Sequence, residues 1–240
     1  MSTSSAARPF VTWALLAALL AVASALTGCD PSIVTPSNDP KNQLKQGIVA
    51  QSPPGVGIAF VTELTFTAKD FIDPRGSLLT YRWSFGDGTG SLGESPSPSA
   101  THTYGKAGTF DIWVTVSSDV AHTPGSLIGL RVISLTGTWG IRDATGQLIM
   151  ENTSITQSEQ ALSGEDTRAN CRYAVAGSAI DPRRVTLTYT RLASDCARLG
   201  LPVSFAFAGE ADEQVKAFTG TMTPGGPARM VKCSQPGVCE

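Results

Sequence analysis

Histidine is scarce in this 240-residue chain: there are two, His102 and His122, both in the first half. A Ser-His-Asp or Cys-His arrangement would have to be built from that half alone. The chain also lacks a G-x-S-x-G elbow, an H-E-x-x-H pair, a phosphate loop of the Walker kind and a dinucleotide fingerprint. No catalytic residue and no cofactor is therefore expected, and the chain reads as a non-enzyme. Charge is sparse too, at 16% of residues with a net of −2. That excludes the basic field a nucleic-acid partner requires. Two acidic pairs, Glu165–Asp166 and Asp212–Glu213, lie in polar stretches and are expected at solvated hairpin tips. No C-x-x-C pair is present, which argues against a zinc site.

Long apolar runs are absent with one exception. After Arg8, the sole charge before Asp30, comes "FVTWALLAALLAVASAL" and then "TGC". A positive start, an apolar centre and small residues before a break have the form of a secretory signal. "LTGC", Leu26 to Cys29, resembles the lipobox of bacterial lipoproteins. The resemblance implies cleavage before Cys29, a diacylglycerol thioether on its sulfur and usually an acylated new amino terminus. Two or more acyl chains hold a protein durably on a membrane, whereas one does so marginally. The expected location is the outer face of the cell membrane, or the outer membrane, by lipid anchor. Residues 1–28 would be the signal, and the mature chain would carry 17 basic and 20 acidic residues.

Four cysteines remain: Cys171, Cys196, Cys233 and Cys239. An even number in an oxidising compartment reads as two disulfides. The expected pairs are Cys171–Cys196 and Cys233–Cys239, with the other connectivities open. The first pair rests on a hairpin about Asp181–Pro182 that would set Cys171 near Arg191. Residues 29–46, from the anchor through "DPSIVTPSNDPKNQLKQ", contain three prolines and no apolar period. They read as a tether with a reach of about 20–25 Å if flexible.

From 47 to 134 short strands alternate with turn clusters. In "TFDIWVTV" the residues Phe110, Ile112, Val114 and Val116 share one face at period two. "DPRGS", "GDGTG" and "SPSPSA" are turns, and the pattern is that of a β-sandwich. In "YRWSFGDGTG", Trp83 and Phe85 face the same way. Gly86 and Gly88 suit a reversal, and the Asp87 carboxylate can accept nearby backbone N–H groups. A phosphate loop would need a helix directly after the glycines, and "SLGESPSPSA" is no helix. The alternative for this loop is calcium held by Asp70, Asp73 and Asp87.

The string Trp83, Phe85, Gly86, Asp87, Gly88, Thr89, then His102, Tyr104, Gly108 and Phe110 resembles the polycystic kidney disease (PKD) repeat. Ser84 stands where that family usually has aspartate. The resemblance implies an immunoglobulin-like sandwich used as a spacer or as a module that binds protein or polysaccharide. His102 is expected to pack beside Tyr104.

Residues 135–240 contain about eight strand-like segments: "LTGTWGIRD", "QLIMENTSITQ", "ALSGED", "CRYAVAGSAI", "RRVTLTYTR", "VSFAFAGEA", "AFTGTMT" and "ARMVK". Short turns join most of them, which suits an up-and-down barrel. An apolar residue, any residue and Gly recur at Leu135, Leu162, Val175, Phe207 and Phe218. "GTW", Gly137 to Trp139, and the late "FTGTMT" resemble calycins, the lipocalin and avidin barrels. That resemblance implies Trp139 at the barrel base under an Arg of the last strand, for which Arg229 is the candidate.

The fold class is thus all-β, a sandwich followed by a small barrel. The expected function is binding or adhesion at the cell envelope, with the membrane and a polysaccharide or envelope protein as partners. The alternatives are a carrier of a small apolar ligand in the barrel and an accessory to glycan-degrading enzymes.

Overall fold

A computed structural model of the chain describes residues 40–168, 171–180, 182–192, 202–235 and 238–239. Among these residues a single 3-10 turn, Pro40–Asn42, precedes sixteen strands. The sandwich uses seven: β1 (Ile48–Ser52), β2 (Gly57–Ile58), β3 (Leu64–Lys69), β4 (Thr80–Ser84), β5 (Ser99–His102), β6 (Gly108–Ser117) and β7 (His122–Ile133). One sheet runs β1-β3-β5 and the other β2-β7-β6-β4. All pairings are antiparallel except β2 beside β7. Period-two burial explains why the sheets face each other: Phe110, Ile112, Val114 and Val116 are buried, while Trp113 between them stands exposed. They meet Leu64, Phe66, Trp83 and Phe85 in one core. Burying each such side chain contributes roughly 1.5–3 kcal/mol.

The sandwich starts earlier than its sequence suggests. Lys45 and Ile72 exchange backbone hydrogen bonds of 2.8 and 3.3 Å, and Leu44 packs on the core. Residues 44–46, expected in the tether, therefore belong to the folded body.

The barrel uses β8 (Gly137–Asp143), β9 (Leu148–Ser158), β10 (Ala161–Arg168), β11 (Cys171–Ile180), β12 (Arg184–Arg191), β13 (Ser204–Ala211), β14 (Ala217–Thr223) and β15 (Gly226–Gln235). Each pairs antiparallel with its neighbours in sequence, and β15 returns to β8, closing eight strands without a free edge. A short β16 (Val238–Cys239) lies against the end of β15.

The recurring apolar-x-Gly has a steric cause. Leu162, Val175, Phe207 and Phe218 point into the core, and the glycine two residues later faces the same way. A Cβ on Gly164, Gly177 or Gly220 would lie 1.7, 1.9 or 1.8 Å from a carbonyl oxygen of the adjoining strand. Only glycine lets the strands bend that closely, as a small barrel demands.

Sandwich and barrel lie within one compact unit. The segment of 53–62 lies across one end of the barrel, and Val56, Ile58 and Val61 join the barrel's own core. Polar ties fix it there. Arg183 donates from Nε to the Val56 carbonyl at 3.1 Å and from Nη2 to the Pro54 carbonyl. Thr62 donates to the Pro182 carbonyl at 2.8 Å, and Gln157 donates to the Ala59 carbonyl at 2.8 Å.

Candidate functional site

The GDG loop is a wired turn. The chain reverses there and runs back along β4, with Ser91 opposite Ser84 and Ser95 opposite Tyr81. Gly86 and Gly88 take φ of 74° and 88°. The Asp87 carboxylate accepts from the Thr89 hydroxyl at 2.7 Å and the Thr89 N–H at 3.1 Å, and it bonds His102 Nε2 at 2.7 Å. Burial works against its charge, but the Thr89 hydroxyl, His102 and the Thr89 N–H outweigh it and bring the carboxyl down to about 2. The His102 ring stacks on Phe85 at 4.2 Å and meets the Tyr104 ring edge-on at 4.6 Å. Tyr104 is buried and donates to the Phe85 carbonyl at 3.0 Å. Burial first, then the Asp87 charge, raise its phenol. Gly108 opens β6 with the Phe110 ring against its Cα, leaving little space for a side chain.

Asp70, Asp73 and Asp87 are not gathered. Among the described residues no three His, Cys, Asp or Glu side chains are placed to share a metal. Asp73 is committed to its own turn: its Oδ1 accepts the Arg75 N–H at 2.8 Å, the main cause that lowers its carboxyl. Asp70 occupies a turn position with φ of 62°. His102 meets a carboxylate and two rings, and among the described residues no Ser, Thr or Cys hydroxyl or thiol bonds its other nitrogen. A nucleophile-base pair is thus not assembled there.

At the barrel base Trp139 is fully buried. It donates from Nε1 to the Leu135 carbonyl at 2.8 Å and meets the Phe218 ring at 5.7 Å. Gly137, two residues before it, has φ of 141°. The cation over its ring is Lys232, with Nζ 5.6 Å from the centroid. Arg229 is not that cation: it stands exposed on the outer face, between Thr219 and Arg142 in register. The reason is parity. Lys232 shares its face of β15 with the inward Ala228 and Met230, whereas Arg229 falls on the other.

Cys233 and Cys239 form a disulfide across β15 and β16. Cys171 is also disulfide-bonded. Its expected partner Cys196, like the lipidation candidate Cys29, lies outside the described residues. The hairpin register differs from expectation by two residues: Tyr173 pairs with Arg191, so Cys171 lies beyond it.

Asp166, like Lys232, escaped the sequence reading. Asp166 is not at a hairpin tip but in β10, 1% exposed and facing the barrel interior. It accepts from the Thr153 hydroxyl at 2.6 Å, and Thr153 lies 3.2 Å from the Tyr189 hydroxyl. Burial, followed by the Asp166 charge, raises the Tyr189 phenol, which the Thr153 bond partly offsets. Glu165, next to it, points outward and pairs with Arg172 at 2.6 Å. Period two along "LSGED" was the available signal: Leu162 inside places Asp166 inside as well. Around this trio the interior holds Ile141, Met150, Ile155, Leu187, Phe207, Phe218 and Met230.

The sandwich geometry has a counterpart among known families. Residues 48–126 match the PKD domain. That match covers β1 to β6, the first part of β7, the GDG turn and the His102–Tyr104 pair, and the PKD domain here is fused to a closed eight-stranded antiparallel barrel. Among solved structures, one from a study of promiscuous carbohydrate-binding modules of the β-sandwich superfamily is 22% identical. It has a TM-score of 0.33 over 60% of this chain and 57% of that one. A quinonprotein alcohol dehydrogenase-like protein from Bacteroides thetaiotaomicron is 9% identical, with a TM-score of 0.22 over 77% of this chain and 61% of that one. The chain thus spans less than two thirds of either, and at these TM-scores neither likeness bears on function.

Proposed function

We propose that this protein is an extracytoplasmic lipoprotein, anchored through Cys29, that binds a polysaccharide or protein of the cell envelope with its surface and catalyses nothing. One observation carries the reading: the barrel fills its interior with its own side chains, and the PKD domain's Val56, Ile58 and Val61 complete that core from one end. A calycin-like carrier instead keeps an apolar space for its ligand. Here the two domains lie in one compact unit tied by hydrogen bonds, suited to displaying a surface.

The test uses the mature chain without its anchor. Titration with an apolar fluorophore should show no stoichiometric binding, while sedimentation with purified envelope polysaccharide or envelope protein should retain the chain. Saturable fluorophore binding displaced by a fatty acid would give the carrier reading the place of this one. In cells, Cys29→Ala should abolish fatty-acid labelling and release the protein from membranes. Pelleting of the variant like wild type would remove the anchor from the proposal.

A further inference from the structure

Between β7 and the barrel runs a groove whose cations have no acidic partners among the described residues. A hollow of about 500 Å³ is lined by Arg131, Lys216, Arg229 and Lys232, with Gln214 and Ile133 beside them. It continues on one side into a hollow of about 430 Å³ that shares Arg131, Ile133 and Lys232. On the other side lies one of about 270 Å³ that shares Arg131 and Gln214. The three together make an elongated trough with Arg131 common to all.

Among the described residues none of the four cations takes part in an ion pair. The acids of the neighbouring turn do not neutralise them by contact. The Asp212 carboxylate is occupied by the N–H groups of Gln214 and Lys216, each at 3.1 Å. Lys232 is held over Trp139 at 5.6 Å, which fixes its ammonium at the mouth of the trough. Partial burial, and then the charge of Arg131, lower its affinity for a proton, so the cations already work against one another. Four like charges gathered on a chain of net −2 are costly unless something anionic visits them.

We propose that this trough binds an extended acidic polysaccharide, its carboxylate or phosphate groups meeting Arg131, Arg229, Lys216 and Lys232. This rests on the surface-binding reading above. Length argues for a chain rather than a lone anion, since the trough joins three hollows in line. The lining between the charges argues for sugar: Gln214, Thr109 and Thr136 offer an amide and hydroxyls suited to sugar hydroxyls. Among the described residues no aromatic ring lines the trough on which a nucleic-acid base could stack. Guanidinium forks grip carboxylate and phosphate in two-point fashion, so Arg131 and Arg229 should set most of the preference.

The experiment is calorimetric titration of the anchor-free mature chain with an oligogalacturonate, and with a neutral cello-oligosaccharide of equal length. Vesicles rich in anionic lipid form the third arm. Only the acidic sugar should bind, and raising NaCl from about 50 to about 500 mM should weaken it at least tenfold. Arg131→Gln with Arg229→Gln should weaken it by a further tenfold or more without moving the melting temperature, because both side chains are exposed and unpaired. Lys216→Gln supplies a second variant with the same expectation at smaller size. Equal binding by wild type and the double variant would overturn the trough, as would binding to vesicles alone. Envelope polysaccharide retained equally by both would overturn the trough but keep the surface-binding reading. Failure of both proteins to bind any polysaccharide would remove the trough and the polysaccharide partner together.

Discussion

The sandwich and the barrel each hold a carboxylate away from bulk water, and they do so by different means. Asp87 sits at the tip of a turn, and its partners are local: Thr89 two residues on, His102 fifteen residues on. Asp166 sits mid-strand in β10, and its partners stand on other strands: Thr153 on the adjoining β9 and, beyond it, Tyr189 on β12. A turn carboxylate organises the loop that presents it, with partners from that loop and one neighbouring strand. A barrel carboxylate must be satisfied by the finished fold, because water does not replace a lost partner there. The first is a device of a single turn, and the second depends on the register of β9, β10 and β12.

Breaking the second should therefore cost most. Asp166→Ala removes the acceptor of the Thr153 hydroxyl inside the core and leaves a gap in the packing. A loss of about 3 kcal/mol in unfolding free energy is expected, read by urea denaturation followed by tyrosine and tryptophan fluorescence. A loss below about 1 kcal/mol would mean that Asp166 is wet and that the barrel is open at that level.

Next comes the joint between the two regions. Arg183 is 7% exposed and serves two carbonyls of the segment that closes the barrel. Arg183→Ala leaves both without their donor, for an expected loss of about 2 kcal/mol. Its more specific signature is in calorimetry: one transition in wild type, two in the variant, as sandwich and barrel melt apart. A single transition in both would mean that apolar contacts of Val56, Ile58 and Val61 suffice for the coupling.

How much of this was legible beforehand depends on how far apart in sequence the cause lay. Trp83, Phe85 and Phe110 through Val116 announced a sandwich because period two is a local pattern. The eight barrel strands were equally readable, each bounded by its own turn. Asp166 was not, since the pair Glu165–Asp166 looks like a polar tip until Leu162 tells which face is inside. Lys232 over Trp139 was missed for a related reason: "an Arg of the last strand" ignores which parity of β15 points inward. The closure of the barrel by residues 53–62 could not be read at all. Those bonds join residues about 120 apart, and no short motif records them. The trough along β7 is likewise invisible in a chain whose summed charge is −2.

Breaking the turn carboxylate should cost less. Asp87→Ala is expected to destabilise by about 1–2 kcal/mol through the lost Thr89 and His102 bonds. Added calcium should leave the wild-type melting temperature unchanged. A calcium-dependent rise abolished by the substitution would turn Asp87 from a turn anchor into a ligand. Acid sharpens the same point. The folded carboxyl titrates near 2, below its ordinary value, so its contribution is fully present above about pH 4. It should fade as pH falls from about 4 toward 2. Asp87→Asn should lack that part of the acid loss, so a variant whose stability falls in parallel with wild type would assign the titration elsewhere.

The smallest effect expected is at Glu165, and its smallness is what makes it useful. Glu165 and Asp166 are adjacent carboxylates on one strand, and alternation sends one outward and the other inward. The outward pair with Arg172 is a 2.6 Å contact between side chains 54% and 59% exposed. Water competes for both groups and salt screens them, so Glu165→Ala should change stability by no more than about 0.5 kcal/mol. The contrast with Asp166→Ala, measured in the same denaturant series, tests the register of β10 directly. Equal losses at the two positions would deny the alternation. A large loss at Glu165 with none at Asp166 would shift the strand by one residue and turn Leu162 and Gly164 out of the barrel, undoing the steric account of the glycine repeat. If only Asp166 is sensitive, the side of the strand decides the energetics, since both side chains are carboxylates with the same neighbourhood in sequence.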